Sequence, residues 1–90
     1  MKLDEYDFDK TARAVYIMNE SAPTLFGSEQ ELKDFMVSMA YAYSHSNNSF
    51  STGGFVLTAY DGIDGERCVR ASVSSYVANL YIDKMEKSYG

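Results

Sequence analysis

Residues 50–62 read Phe-Ser-Thr-Gly-Gly-Phe-Val-Leu-Thr-Ala-Tyr-Asp-Gly, FSTGGFVLTAYDG. The architecture depends on the element that comes after the paired glycine. A phosphate-cradling loop needs a strand before it and a helix after it, with glycines at set spacing. Here Phe55, Leu57 and Ala59 alternate with Val56, Thr58 and Tyr60, which is the period of a strand with one apolar face. There is no Gly-Lys-Ser/Thr. Asp61-Gly62-Ile63-Asp64-Gly65 then supplies two Asp-Gly turn signals, and Glu66–Ala71 reads as the returning strand. The prediction is a hairpin over about 53–71. Gly53-Gly54 would serve as a bulge or as a close approach to the first long helix.

That helix lies upstream. Ser28-Glu29-Gln30-Glu31 is a capping box, in which the Ser28 hydroxyl accepts from the Glu31 amide and Glu31 reaches back. Leu32, Phe35, Met36, Met39, Ala40 and Tyr43 then recur on one helical face, so a helix is predicted over about 29–44. Downstream, Ser72 is a candidate N-cap. Val73, Tyr76, Val77, Leu80 and Tyr81 form the apolar face of a second helix over about 73–87. Lys84 and Lys87 sit near its end, where positive charge suits the helix dipole. Between the long helix and the hairpin, residues 44–49 are small and polar and read as a loop.

The first third of the chain is less decided. Ala12, Val15 and Tyr16 fit a helical face, whereas Val15-Tyr16-Ile17 has the β-branched and aromatic content of a strand. The balance is put on a short third strand over about 11–18. Pro23 ends that element, because the residue before proline avoids the α region. Residues 1–10, Met-Lys-Leu-Asp-Glu-Tyr-Asp-Phe-Asp-Lys, read as an acidic arm or a frayed end. The expected class is α+β, a small antiparallel sheet packed on one side by two helices.

Ninety residues make one domain, 1–90, with a thin core. No apolar segment comes after Met1-Lys2, which predicts no signal peptide and no membrane span. Cys68 is the one cysteine, a usage that suits a reducing cytoplasm. The formal net charge of -5 argues against a nucleic-acid binder, which needs clustered Lys and Arg, and equally against docking on an anionic membrane. An acidic chain suits a basic partner, including proteins that themselves bind nucleic acid.

The sequence offers no constellation for catalysis or metal binding. Structural zinc needs about four Cys or His ligands, and only His45 and Cys68 are present. Asp61, Asp64 and Glu66 lack the spacing of a calcium loop. A His45–Cys68 dyad would still need an orienting group and an oxyanion hole. No catalytic residue and no cofactor are therefore expected. Surface recognition remains. Eight Tyr, five Phe and five Met exceed what a thin core needs, and aromatics and Met are enriched at interfaces. Tyr6, Phe8, Tyr41 and Tyr60 are candidate contacts. Asp4, Glu5, Asp7, Asp9, Glu29, Glu31 and Asp34 are candidate stand-ins for the phosphates of DNA.

Met18-Asn19 with Leu25-Phe26-Gly27 after it resembles a stretch of the ArdB/KlcA antirestriction proteins of phages and plasmids. Gly53-Gly54-Phe55, the returning strand and Val77-Ala78-Asn79-Leu80-Tyr81 resemble later parts of that family, in the same order. The resemblance spans residues 11–85. The family's tryptophan-bearing strand and its second Gly-Gly-aromatic segment are missing here. The resemblance implies a small phage or plasmid protein that blocks a host defence system; with the small size, acidity, aromatic surplus and absent catalytic motifs, the expectation is a non-enzymatic inhibitor of a restriction enzyme or CRISPR effector. It transfers no catalytic residue. Surface occlusion and DNA mimicry are both open as mechanisms. A small cytoplasmic adaptor or regulatory subunit is the alternative, and a homodimer is compatible with either.

Overall fold

The computed structural model describes residues 1–44, 50–52 and 54–89. It has an α+β fold. In chain order the elements are β1 (Lys2–Leu3), α1 (Glu5–Met18), α2 (Ala22–Leu25), α3 (Glu29–Tyr43), β2 (Phe50–Thr52), β3 (Phe55–Asp61), β4 (Arg67–Val73) and α4 (Ser75–Tyr89). The described strands form a four-stranded sheet in the order β1-β4-β3-β2.

The predicted hairpin is present as β3 and β4, paired antiparallel from Phe55↔Val73 to Asp61↔Arg67. Its turn closes through the Gly62 amide, which donates to the Glu66 carbonyl at 2.7 Å. Gly65 takes a φ of +80°, a conformation in which only glycine is unstrained. Gly54 does more than the sequence suggested. Thr52 pairs with Phe55, so β2 and β3 form a second hairpin, and Gly54 lies next to its connection. Gly54 has φ +134°, and a Cβ there would lie 3.0 Å from Val15 Cγ1 and 3.1 Å from Val77 Cγ2. The close approach is therefore to α1 and α4, not to α3.

The sheet is mixed rather than antiparallel, because Lys2↔Cys68 and Leu3↔Val69 pair in parallel. Residues 1–10 are accordingly not an arm. Two of them extend the sheet, and α1 begins at Glu5. Residues 11–18 are helix, not a third strand. Asp4 caps α1, its carboxylate accepting the Asp7 amide at 3.2 Å. Phe8, Ala12 and Val15 then fall on one side and are buried. Beta-branched residues are only mildly unfavourable in helices, and burial of this face outweighs that preference. Asn19 ends the helix in an extended conformation. Pro23 lies within the single-turn α2.

The Ser28 half of the predicted α3 capping box forms, and Glu31 reaches back one residue further than the box requires, to Gly27. The Glu31 amide donates to Ser28 Oγ at 3.2 Å, while Glu31 Oε2 accepts the Gly27 amide at 2.7 Å. Leu32, Met36 and Ala40 are buried, with Phe35 and Met39 packed beside them. Tyr43 is exposed. These side chains meet Phe8, Ala12 and Val15 of α1 and the Phe55, Leu57, Val69 and Ala71 face of the sheet. Arg67 fastens the far end. Its Nε donates to the Ser44 carbonyl just past α3, and its Nη1 lies 3.1 Å from Asp61 Oδ1.

Ser72 and Val73 belong to β4, so the cap of α4 falls to Ser74. Its Oγ accepts the Val77 amide at 3.4 Å. Of the predicted α4 face, Val77 is buried whereas Tyr76 and Tyr81 are exposed. No helix among the described residues is long and apolar enough to cross a membrane. His45, the rest of the predicted loop at 45–49, and Gly53 lie outside the described residues.

Candidate partner-binding groove

The short β1 sets the geometry of the surface. By pairing with residues 68 and 69 it brings the start of α1 beside the β3–β4 turn. A groove of about 660 Å³ lies between them, with Asp4, Glu5 and Tyr6 on one wall and Tyr60, Asp64 and Glu66 on the other. Two of the predicted aromatic contacts, 54 positions apart in sequence (60 − 6), thus face one cleft. Tyr6 is 75% exposed and Tyr60 44%. Ile63, also in the lining, stands fully exposed at the tip of the turn.

The electrostatics are predominantly negative. Among the described residues Lys2 is the one cation in the lining, against Asp4, Glu5, Asp64 and Glu66. Glu66 tucks beneath Gly62, where an added Cβ would meet its carboxyl carbon at 2.6 Å. Its Oε2 is buried and has no hydrogen-bond partner among the described residues. On the outer face of the sheet the Arg70 guanidinium sits 5.8 Å from the Tyr60 ring centroid, within cation–π range.

The predicted acids, Asp4 and Glu5 of the groove included, also have places in the fold. Asp4 is the α1 cap. Glu5 and Asp9 both bind Lys33 Nζ, at 2.8 and 2.7 Å, and so tie α1 to α3. These contacts, Asp9 first, raise the Lys33 pKa well above its ordinary 10.5. Asp7 Oδ2 accepts the Ala71 amide at 2.9 Å. Glu31 binds the Gly27 amide, and Asp34 Oδ1 accepts from Gln30 at 2.9 Å. Glu29 is exposed in the first turn of α3, where it complements the helix dipole. Phe8 is a core residue at 1% exposure, so it is not a surface contact. Tyr41 is 60% exposed near the end of α3 and does not line the groove.

Sequence reasoning missed Lys2, Ile63, Asp64 and Glu66 as companions of Tyr6 and Tyr60. The sequence identified Ile63 and Asp64 as turn residues and Glu66 as the start of the returning strand, but only the β1–β4 pairing places them across from Tyr6. Cys68 is buried, and its Sγ donates to the Glu66 carbonyl at 3.7 Å. Among the described residues no group of His, Cys, Asp and Glu is arranged to hold a metal ion. No protein-family model matches this chain, and no curated protein or solved structure matches it.

Proposed function

We propose that the protein is a non-enzymatic inhibitor encoded by a phage or other mobile element, which binds a restriction enzyme or CRISPR effector in the host cytoplasm. The observation that carries a binding role is the convergence of Tyr6 and Tyr60 on one acidic groove. Exposed tyrosines beside a concave surface are the usual anchors of a protein interface. The excess of carboxylates suits a basic partner, as defence nucleases are on their nucleic-acid-binding faces. The target class rests on the resemblance of residues 11–85 to antirestriction proteins.

Surface occlusion is favoured over DNA mimicry. A mimic needs carboxylates held at the surface for the partner. Here Asp7 is bound to the Ala71 amide and Glu31 to the Gly27 amide, and Glu5 and Asp9 share the Lys33 ammonium, which reduces the net negative charge on that side of the molecule.

The test is phage plating on strains carrying a restriction system or a CRISPR system, with and without the protein. Relief of restriction or interference supports the proposal. If plating is unchanged on both and the protein co-purifies with a metabolic or regulatory complex, the adaptor reading replaces it. Salt separates the two mechanisms. Mimicry predicts steep weakening with salt and competition with DNA, whereas occlusion away from the DNA path predicts neither.

A further inference from the structure

We infer that α4 is the interface of a homodimer, in which the outer stripe of this helix enters a second groove, between α1 and α4 of the other copy. This surface is distinct from the acidic groove, and it stands whatever the defence target is.

The stripe comes from the spacing of apolar residues. Ala78, Tyr81, Ile82 and Met85 recur at i, i+3, i+4 and i+7 and so share one side of α4. Tyr81 is 54% exposed, Ile82 51% and Met85 42%. α1 and α3 bury residues along much of their length, but α4 holds to its own domain by its first turns. Among the described residues Val77 is its one buried side chain, and residues 81–87 are all exposed. A helix of 15 residues is marginal in isolation and takes its stability from packing its apolar face. The projecting half of α4 therefore needs a cover that the single chain does not supply.

The concave half of the contact lies beside the stripe. A groove of about 640 Å³ runs between α1 and α4, with Ala14 and Met18 on one wall and Val77, Ala78, Tyr81 and Ile82 on the other. Ridge and groove are thus neighbours on one surface and share Tyr81 and Ile82. A two-fold interface uses this arrangement, since each copy both gives and receives.

Charge and area select a second copy as the occupant. The chain carries a net charge of -5, so two copies repel wherever their unbalanced acids face each other. On α4 Asp83 and Glu86 are balanced by Lys84 and Lys87, and in the groove lining Asp7 is balanced by Lys10. The net negative charge therefore lies elsewhere, and equal chains can meet on this face. A basic foreign partner would be drawn to the acidic surfaces instead. Taking roughly 200 Å² per large side chain, the exposed parts of Tyr81, Ile82 and Met85 offer about 300 Å² per copy. Each stripe covers a comparable area of the groove that receives it, so the total is on the order of 1,000 Å², the low end for a specific interface. Association in the micromolar range is expected from so small an area.

The test is sedimentation of the full chain from about 1 μM to about 1 mM, a range that brackets micromolar association. A mass that rises from one chain to two, and does not fall back at raised salt, supports the inference. Ile82→Glu puts a charge into the interface and should weaken association at least tenfold. Met85→Lys, further along the stripe, should act in the same direction. Both side chains are about half exposed, so both variants should keep the far-UV circular dichroism of the folded chain, which is the folding control. Tyr76→Ala removes a ring that is 62% exposed on the side of α4 opposite Met85, and it should leave association unchanged. Mixed labelled and unlabelled chains should show intermolecular NOEs from Tyr81 and Ile82 to Ala14 and Met18. A monomer mass over the whole range overturns the inference and leaves the stripe to a foreign protein. A dimer that keeps its affinity in both Ile82→Glu and Met85→Lys overturns it as well, because the contact then lies on another face.

Discussion

The Asp7 carboxylate accepts the backbone amide of Ala71 at 2.9 Å, across 64 positions of sequence. β1 covers the edge of β4 only at Cys68 and Val69. Beyond it, the next outward amide of β4 is met by a side chain from the first turn of α1. The bond therefore finishes a sheet edge that the two-residue strand cannot reach, and it fixes α1 to the sheet. Asp7→Ala should cost about 1–3 kcal/mol, since a partly buried amide loses its acceptor. That corresponds to a fall in Tm of at least several degrees for a domain of this size. Asp7→Asn keeps an acceptor and should lose less. Equal losses for the two, measured by thermal or urea unfolding, would show that the charge and not the hydrogen bond matters.

Gly54 should not tolerate a side chain. Its φ of +134° lies outside the range of L-residues, and an added methyl would press on Val15 and Val77, both buried. Gly54→Ala should destabilise by about 1–3 kcal/mol from backbone strain, with repacking of those valines in addition. Gly65 provides the contrast. Its φ of +80° has open space around it, and asparagine tolerates positive φ better than most residues. Gly65→Asn should therefore cost well below the Gly54 change. Urea midpoints of the two variants decide the comparison.

Lys33 sits between Glu5 and Asp9, with its side chain 17% exposed. Each pair should contribute up to about 1 kcal/mol, given how exposed the carboxylates are. The sign of the pH dependence comes from the raised pKa. A lysine that binds its proton more tightly in the folded state stabilises that state as long as the proton stays on. The contribution is complete below the ordinary 10.5 and is lost as pH climbs beyond it. The stability gap between wild type and Lys33→Met should stay constant from neutral pH up to about 10 and shrink above that. A gap that already closes at pH 8 would contradict the assignment.

The parts of the fold legible in the sequence are those with a local chemical cause. Ser28 and Glu31 announce α3 because both halves of a capping box lie within four residues. The β3–β4 turn is visible in its Asp-Gly pairs. The illegible parts depend on distant neighbours. Val15-Tyr16-Ile17 looks like a strand until Phe8 and Ala12 extend its period backwards, and Phe8 is hidden among the acids of 1–10. β1 has two residues and no periodicity at all. Its existence depends on Cys68 and Val69, 66 positions away (68 − 2 and 69 − 3). The groove is illegible for the same reason. Residue type marks both Tyr6 and Tyr60 as contacts, but nothing local says they share a cleft. Conversely, Asp7 and Asp9 look like surface charge, and only tertiary contacts reveal their structural role.

Position around the groove, rather than residue type, should decide which substitutions impair function. Tyr6→Ala and Tyr60→Ala remove exposed rings at the cleft, and each should weaken partner binding by about 1–3 kcal/mol, the range of interface anchors. Neither should shift Tm much, because both rings are substantially exposed. Tyr41→Ala removes a comparably exposed ring outside the lining and should leave binding unchanged. Glu29→Gln and Asp34→Asn lie on α3, away from the groove. They should be silent under occlusion but harmful under mimicry, where each lost charge reduces the competition with DNA. Plating efficiency on restricting strains, measured beside Tm for all five variants, discriminates the alternatives. Loss of inhibition in the α3 acid variants with retention in the two groove tyrosines would move the binding surface to α3 and restore mimicry as the mechanism.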